Sequence, residues 1–179
     1  MRWFIPFALF ILSCAPVNKA SRPESPYAHF LQGKLFLSEG NLDKAVDELE
    51  KAVALDPTSP YLFFELAGLH LRKGNLSKAL EAAKKAAELA PSDPKTHFLL
   101  GSLYPLTGNM DSAVKELETS LALSPDNQET ALYLSSQYIQ KGDFGRAREL
   151  LNRFLIKEPD SFLIYYFLAR TEVGDKNYN

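Results

Sequence analysis

The chain has 179 residues, 46% hydrophobic and 23% charged, a balance that excludes disorder as the default and leaves room for one domain with a continuous core. Twenty Lys and Arg face twenty-two Asp and Glu for a net charge of -2. No run of like charge exceeds a pair such as Lys84-Lys85, so the clustered basic stripe of a nucleic-acid binder is missing and no nucleic-acid partner is expected. The single cysteine, Cys14, excludes an intramolecular disulfide and any cysteine-built metal site.

Residues 1–13 read as a signal peptide. Met1-Arg2 supplies a positive start, and Trp3 to Leu12 is an apolar run. As a helix this run reaches only about 15 Å, half of a hydrocarbon core of about 30 Å, so it reads as a removed leader rather than a span. Cleavage after Ala15 would leave Pro16 directly behind the cut, where its ring removes the N–H and makes a poor substrate. An uncleaved anchor with a merely buried Cys14 is the plain alternative. Ile11-Leu12-Ser13-Cys14 resembles the lipobox of bacterial lipoproteins, although Leu12 and Ser13 depart from its commonest residues. The resemblance implies acylation of Cys14 and an exported, membrane-anchored chain. Ala15, rather than Asp, behind the cysteine implies the outer membrane, facing the periplasm. Several acyl chains on one cysteine would hold firmly, at about 0.8 kcal/mol per buried methylene. With Cys14 at its head, the stretch to Ser25 contains Pro16, Ser21, Pro23 and Ser25, and reads as an extended tether (14–25).

A 34-residue register governs the rest. Gly40-Asn41, Gly74-Asn75, Gly108-Asn109 and Gly142-Asp143 keep it, as do Pro57, Pro91, Pro125 and Pro159, and Ala45, Ala79, Ala113 and Ala147. Glycine can take the left-handed conformation that ends one helix. The next residue, or Asp43, Ser77 or Asp111 two further on, can cap the following helix. Each unit is therefore predicted to be two helices and a tight turn, closed by a proline. Small residues at Gly33, Ala67, Gly101, Ser135 and Ala169 mark close approach. Leu66, Leu100, Leu134 and Leu168, with Leu49, Leu117 and Leu151, fill the space between helices.

This spacing resembles the tetratricopeptide repeat. In Pro94 to Asn127, residues His97, Leu100, Gly101, Tyr104, Ala113, Leu117 and Pro125 occupy that family's places, His97 standing for its usual tryptophan. The resemblance implies an all-α solenoid of antiparallel helix pairs wound as a right-handed superhelix. Four full repeats (26–59, 60–93, 94–127, 128–161) and a partial fifth (162–179) make up a repeat domain over 26–179. Two departures stand out. Pro105 predicts a kink or early end to its helix. In the fourth unit Phe154 replaces a small residue and Lys157 a leucine, which predicts looser or altered packing.

Phe162 to Val173 reads as a fifth first helix, whose stretch from Phe162 to Leu168 is apolar nearly all round, and Asn177-Tyr178-Asn179 resembles the turn that opens its partner. Such a face marks either a piece of a longer repeat protein or an interface covered on assembly, self-association included.

No phosphate-binding loop, nucleophile elbow or paired acidic motif rises above the repeat background, so no catalytic residue, cofactor or metal is assigned. His29 and His97 share one place two units apart and read as structural. In the family resembled, first helices line the concave surface and the fifth place of each unit points into it. Here that row is Phe30, Phe64, Phe98, Leu132 and Tyr166, flanked by Tyr27, Tyr61, Lys34, Gly68, Ser102, Ser136 and Arg170. Such rings suit a protein or peptide partner. A carboxylate clamp is not matched, because only Lys34 and Arg170 are basic, at opposite ends. The function implied is a non-catalytic scaffold, anchored in the cell envelope and assisting a pilus, secretion or outer-membrane machine. The alternatives are the N-terminal repeat region of a longer enzyme or polysaccharide-export protein, or a glycan-handling module.

Overall fold

A computed structural model describes residues 24–178. The expected leader, Cys14 and nearly all of the tether lie outside the described residues. Among those described, the chain forms α1 (Pro26–Ser38), α2 (Leu42–Leu55), α3 (Pro60–Arg72), α4 (Leu76–Leu89), α5 (Pro94–Leu103), a 3-10 turn (Tyr104–Thr107), α6 (Met110–Leu123), α7 (Gln128–Gln140), α8 (Phe144–Leu155) and α9 (Phe162–Tyr178). Consecutive helices pack as pairs α1–α2, α3–α4, α5–α6 and α7–α8, and each pair stacks on the next. The first helix starts at Pro26, where the first repeat was expected to begin.

The turns between paired helices show why the glycines keep register. Gly40, Gly74, Gly108 and Gly142 all sit at φ between 76° and 79°. In each turn the residue after the glycine donates its N–H back to a carbonyl of the last helical turn: Asn41 to Phe36, Asn75 to His70, Asn109 to Tyr104 and Asp143 to Tyr138, at 2.8–3.0 Å. This is the Schellman arrangement, and its glycine must be left-handed. The same Asn or Asp stands at the N-cap of the following helix, and in the first and fourth turns its side chain caps it, whereas Asn75 and Asn109 make no such bond. Asn41 accepts from the Lys44 N–H and Asp143 from the Arg146 N–H. Asp43 and Asp111, the other candidate caps, instead pair with Lys73 and Lys141 of the next unit.

A β-carbon added at Gly74 would meet nothing within 4 Å, so the cost of Gly74→Ala is conformational alone. We expect a loss of roughly 1–2 kcal/mol in urea unfolding. A neutral outcome would mean that the turn relaxes out of the left-handed region.

Gly33 and Gly101 serve a different purpose. Added β-carbons there would lie 2.5 Å from Leu49 Cδ1 and 2.5 Å from Leu117 Cγ. The second unit pairs small with small at the same two places, Ala67 with Ala83, both fully buried. Helix α4 buries only alanines: Ala79, Ala82, Ala83, Ala86 and Ala87. The core of the second unit thus differs in shape from the first and third, while the fourth sets Ser135 against Leu151. Several polar ties, by contrast, keep a two-unit step of 68 residues. His29 Nδ1 bonds Glu48 at 2.7 Å and His97 Nδ1 bonds Glu116 at 2.7 Å, each joining the two helices of one pair. Asp43–Lys73 recurs as Asp111–Lys141.

Pro105 acts as expected. Helix α5 stops after ten residues, where α1, α3 and α7 run for thirteen, and a 3-10 turn carries the chain to Gly108. The fourth unit is altered rather than loose: α8 has twelve residues against fourteen in α2, α4 and α6. Phe154 is buried in the core cluster with Leu151 and Ile164, and Lys157, beyond the helix end, pairs with Asp126.

One expectation fails. Asn177 and Tyr178 do not open a turn, because α9 runs unbroken for seventeen residues to Tyr178. The place held by glycine in the other four units is held here by Lys176. Without a residue that enters the left-handed region cheaply, the helix continues. Leu168 is only half-buried, and Ala169, expected under a close-packed helix, is exposed. No described helix is long and apolar enough to cross a membrane.

Candidate partner-binding groove

The expected row is carried by α1 (Tyr27, Phe30, Lys34), α3 (Tyr61, Phe64), α5 (Phe98, Ser102), α7 (Leu132) and α9 (Tyr166, Arg170). At the first end, Phe30 and Tyr61 meet edge to face with centroids 5.4 Å apart. The Lys34 ammonium stands 5.7 Å from the Phe30 ring and 3.2 Å from Glu65. Tyr27, Phe30 and Tyr61 line a cleft of about 500 Å³ whose rim carries Ser25, Asp56 and Ser59. Desolvation and the neighbouring Glu65 carboxylate raise the pKa of the Tyr61 phenol.

Phe64 is half-buried on α3. The groove widens beside it, since a β-carbon on Gly68 would touch nothing within 4 Å. Farther along, the row is drawn partly into the core. Phe98 and Leu132 pack against the second core cluster, and Phe98 meets Tyr133 with centroids 5.7 Å apart. The Ser102 hydroxyl donates to its own helix at Leu99 O, which leaves its oxygen to act as an acceptor. At the far end Tyr166 meets Phe167 at 5.4 Å, and the Arg170 guanidinium lies 5.8 and 5.6 Å from the two rings. The structure therefore gathers the expected residues into two groups at the ends, joined by a stretch in which the rings serve the fold as well. Tyr133, Phe167, Glu65 and Asp56 belong to this surface and were not singled out in the sequence. Tyr133 and Phe167 follow the row one place on in consecutive units, and that was the available signal.

A second pair of clefts lies on the side of the second helices. One, of about 540 Å³, is lined by Glu50, Leu66, His70, Lys78 and Ala82; the other, of about 810 Å³, by Glu118, Leu134, Tyr138, Arg146 and Leu150. Each of these five residues of the second stands 68 positions after its counterpart in the first. In one, Glu50 lies 3.4 Å from Lys78 and 3.6 Å from His70. In the other, Tyr138 donates to Glu118 at 2.6 Å while Arg146 reaches the same oxygen at 3.1 Å.

His70 is 3% exposed, and its Nδ1 has no hydrogen-bond partner among the described residues. Burial lowers its pKa below the ordinary imidazole range, with the Glu50 carboxylate opposing. An unfolded histidine takes a proton near pH 6.5, which the folded one resists. Stability present above about that pH is therefore lost as pH falls through and below it. We expect the urea midpoint to drop between pH 7 and 5.5, and His70→Tyr, which copies Tyr104 and Tyr138 at the same place, to flatten the drop. An equal drop in the variant would show that His70 is not its source.

No three His, Cys, Asp or Glu groups among the described residues are placed to hold a metal ion. Residues 36–103 and 106–171 match the family model for the tetratricopeptide repeat, and the chain belongs to that family. Its fold is the tetratricopeptide solenoid, the architecture of a protein-interaction scaffold, and proteins built this way are typically non-catalytic. Among solved structures the chain is similar to MamA protein, at 19% identity over 84% of this chain and 82% of that one, with a TM-score of 0.78. It is similar also to a tetratricopeptide repeat protein from Parabacteroides merdae ATCC 43184, at 22% identity, 86% and 61% coverage and TM-score 0.80. A third is YrrB, described as a TPR protein with an unusual peptide-binding site, at 16% identity, 83% and 77% coverage and TM-score 0.72. No curated protein matches the chain in sequence.

Proposed function

We propose that this protein is a non-catalytic scaffold, exported and held at a membrane through acylated Cys14, which captures an apolar segment of a protein partner in its concave groove. The observation that carries the reading is the cleft of about 500 Å³ between Tyr27, Phe30 and Tyr61, continued by Phe64 beside the open space at Gly68. Aromatic rings standing beside small residues form sockets for apolar side chains, and such anchors supply most interface energy. The peptide-binding site named for YrrB supports the same use of this fold. The lipobox-like Ile11-Leu12-Ser13-Cys14 supports the anchor, and with it a role beside a cell-envelope assembly at the outer membrane: a pilus, secretion or outer-membrane complex.

A photo-crosslinking residue at Phe64 in the native full chain tests the groove, with fractionation of Cys14→Ser testing the anchor. The expected result is one defined protein adduct, at least tenfold weaker when Tyr61→Ala is added, with unchanged helicity. No adduct, or one indifferent to Tyr61, overturns the groove. A Cys14→Ser chain that stays in the membrane fraction overturns the anchor.

A further inference from the structure

The two clefts beside the second helices share one plan and are filled differently. In the cleft between α6 and α8 the Tyr138 hydroxyl donates to the Glu118 carboxylate at 2.6 Å, and Arg146 reaches the same oxygen at 3.1 Å. A phenol, a carboxylate and a cation thus meet at one atom. In the cleft between α2 and α4 the carboxylate is Glu50 and the cation is Lys78, 3.4 Å apart, but His70 stands at the place of Tyr138 and the phenol is missing. The shorter imidazole does not close the contact: its Nε2 stops 3.6 Å from Glu50, outside hydrogen-bond range. Its Nδ1 has no partner among the described residues either, although the side chain is only 4% exposed. A nearly buried ring with both nitrogens unpaired is a departure from how proteins treat polar groups.

Two more differences reshape this cleft. Ala82 replaces the bulk of Leu150, and Phe63 lines the first cleft where its counterpart Ala131 does not reach the second. The greater volume of the second includes a reach past Ala122 and Pro125, whose counterparts Ala54 and Pro57 do not line the first.

We propose that the α2–α4 cleft receives a tyrosine side chain of a protein partner, its ring against Phe63, Leu66 and Ala82 and its hydroxyl on Glu50 and His70. The hydroxyl donates to the Glu50 carboxylate, as Tyr138 does to Glu118, and accepts from the His70 Nε2–H. One phenol does both at once. The tautomer with its proton on Nε2 also spares the interior an unpaired N–H at Nδ1. A phenylalanine ring would fill the apolar part and leave the Glu50–His70 pair as it is. The rim carries both signs, Lys78 and Lys85 against Glu81 and Glu88. An apolar centre inside such a rim is the anatomy of a contact between proteins, where tyrosine is enriched. The site opens on the side of the second helices, so it does not rest on the groove reading.

Titration of the full chain with N-acetyl-tyrosinamide and with N-acetyl-phenylalaninamide tests it, read by NMR at the histidine ring and leucine methyl signals. His70 and Leu66 are expected to respond to the tyrosine probe with a midpoint at least fivefold lower than to the phenylalanine probe. Glu50→Ala, at an exposed place on α2, is expected to abolish that preference while circular dichroism stays unchanged. His70→Tyr supplies the phenol from within the chain and is expected to weaken the tyrosine probe at least tenfold, read at Leu66. Equal responses to the two probes, a preference that survives Glu50→Ala, or no response at His70 and Leu66 up to the order of 10 mM would each overturn the proposal. Loss of the photo-adduct at Phe64 with the tyrosine preference intact would count against the groove alone.

Discussion

Phe154→Ala is expected to destabilise the protein by about 3–5 kcal/mol, the range for emptying a buried aromatic site. Three of the four full repeats carry a small residue at this place, Ala52, Ala86 and Ser120, all buried. Repeat-to-repeat comparison alone would therefore rate alanine as an improvement. The structure gives the opposite sign. Phe154 is 3% exposed and belongs to the cluster of Leu151, Leu134 and Ile164, so it fills space that alanine would leave empty. Helix α8 ends one residue later, and Arg153 and Lys157 lie 5.3 and 5.8 Å from the ring. Loss of the ring should therefore loosen the seat of α9 as well as the fourth pair. Urea unfolding followed by circular dichroism measures the loss, and hydrogen exchange along α9 locates it. An unchanged or higher midpoint would show that α9 settles onto α8 without the ring.

Leu117→Ala is expected to cost about 2–5 kcal/mol, and Gly101→Ala in the same chain to return part of it. Leu117 is fully buried and occupies the room that Gly101 leaves. Alone, Gly101→Ala brings a β-carbon to 2.5 Å from Leu117 Cγ and 3.3 Å from the Ala113 carbonyl. Overpacking of that kind costs roughly 1–3 kcal/mol, set against about 1 kcal/mol gained in helix propensity. Together the two substitutions reproduce the Ala67–Ala83 pair of the second unit, so a favourable coupling of at least about 1 kcal/mol is expected in the double-mutant cycle. Additive losses would mean that the third pair does not draw closer when the leucine is removed.

The helices, their pairing and their order were legible because one register repeats residue types with fixed mechanical meaning: a left-handed glycine, a stopping proline, a small residue under a neighbour. The same reasoning placed the early end of α5 at Pro105. It failed at the last turn because Asn177 was read and Lys176 was not, although the glycine is the residue on which the turn depends. It also could not rank groove residues. Whether a ring faces a ligand or the core is decided by contacts reaching about one unit ahead, as Phe98 finds Tyr133 and Phe30 finds Tyr61. The opposite clefts were missed for a related reason: Glu50, His70 and Lys78 come from three helices and recur only after two units.

That two-unit step sets the size of the piece that can be cut from the array and rejoined. Excising residues 60–93 would bring Thr107 to where Lys73 meets Asp43, Ser112 to where Lys78 meets Glu50, and Leu99 to where Glu65 meets Lys34. Excising 60–127 would instead offer Lys141 to Asp43, and Tyr138 and Arg146 to Glu50, partners of the kind already found two units on. An even cut therefore restores partners for Asp43 and Glu50, which an odd cut does not, while the Lys34–Glu65 pair is lost in both because Tyr133 stands 68 residues after Glu65. For grafting or lengthening this scaffold, the interchangeable brick is therefore the 68-residue double unit, although the glycines mark every 34.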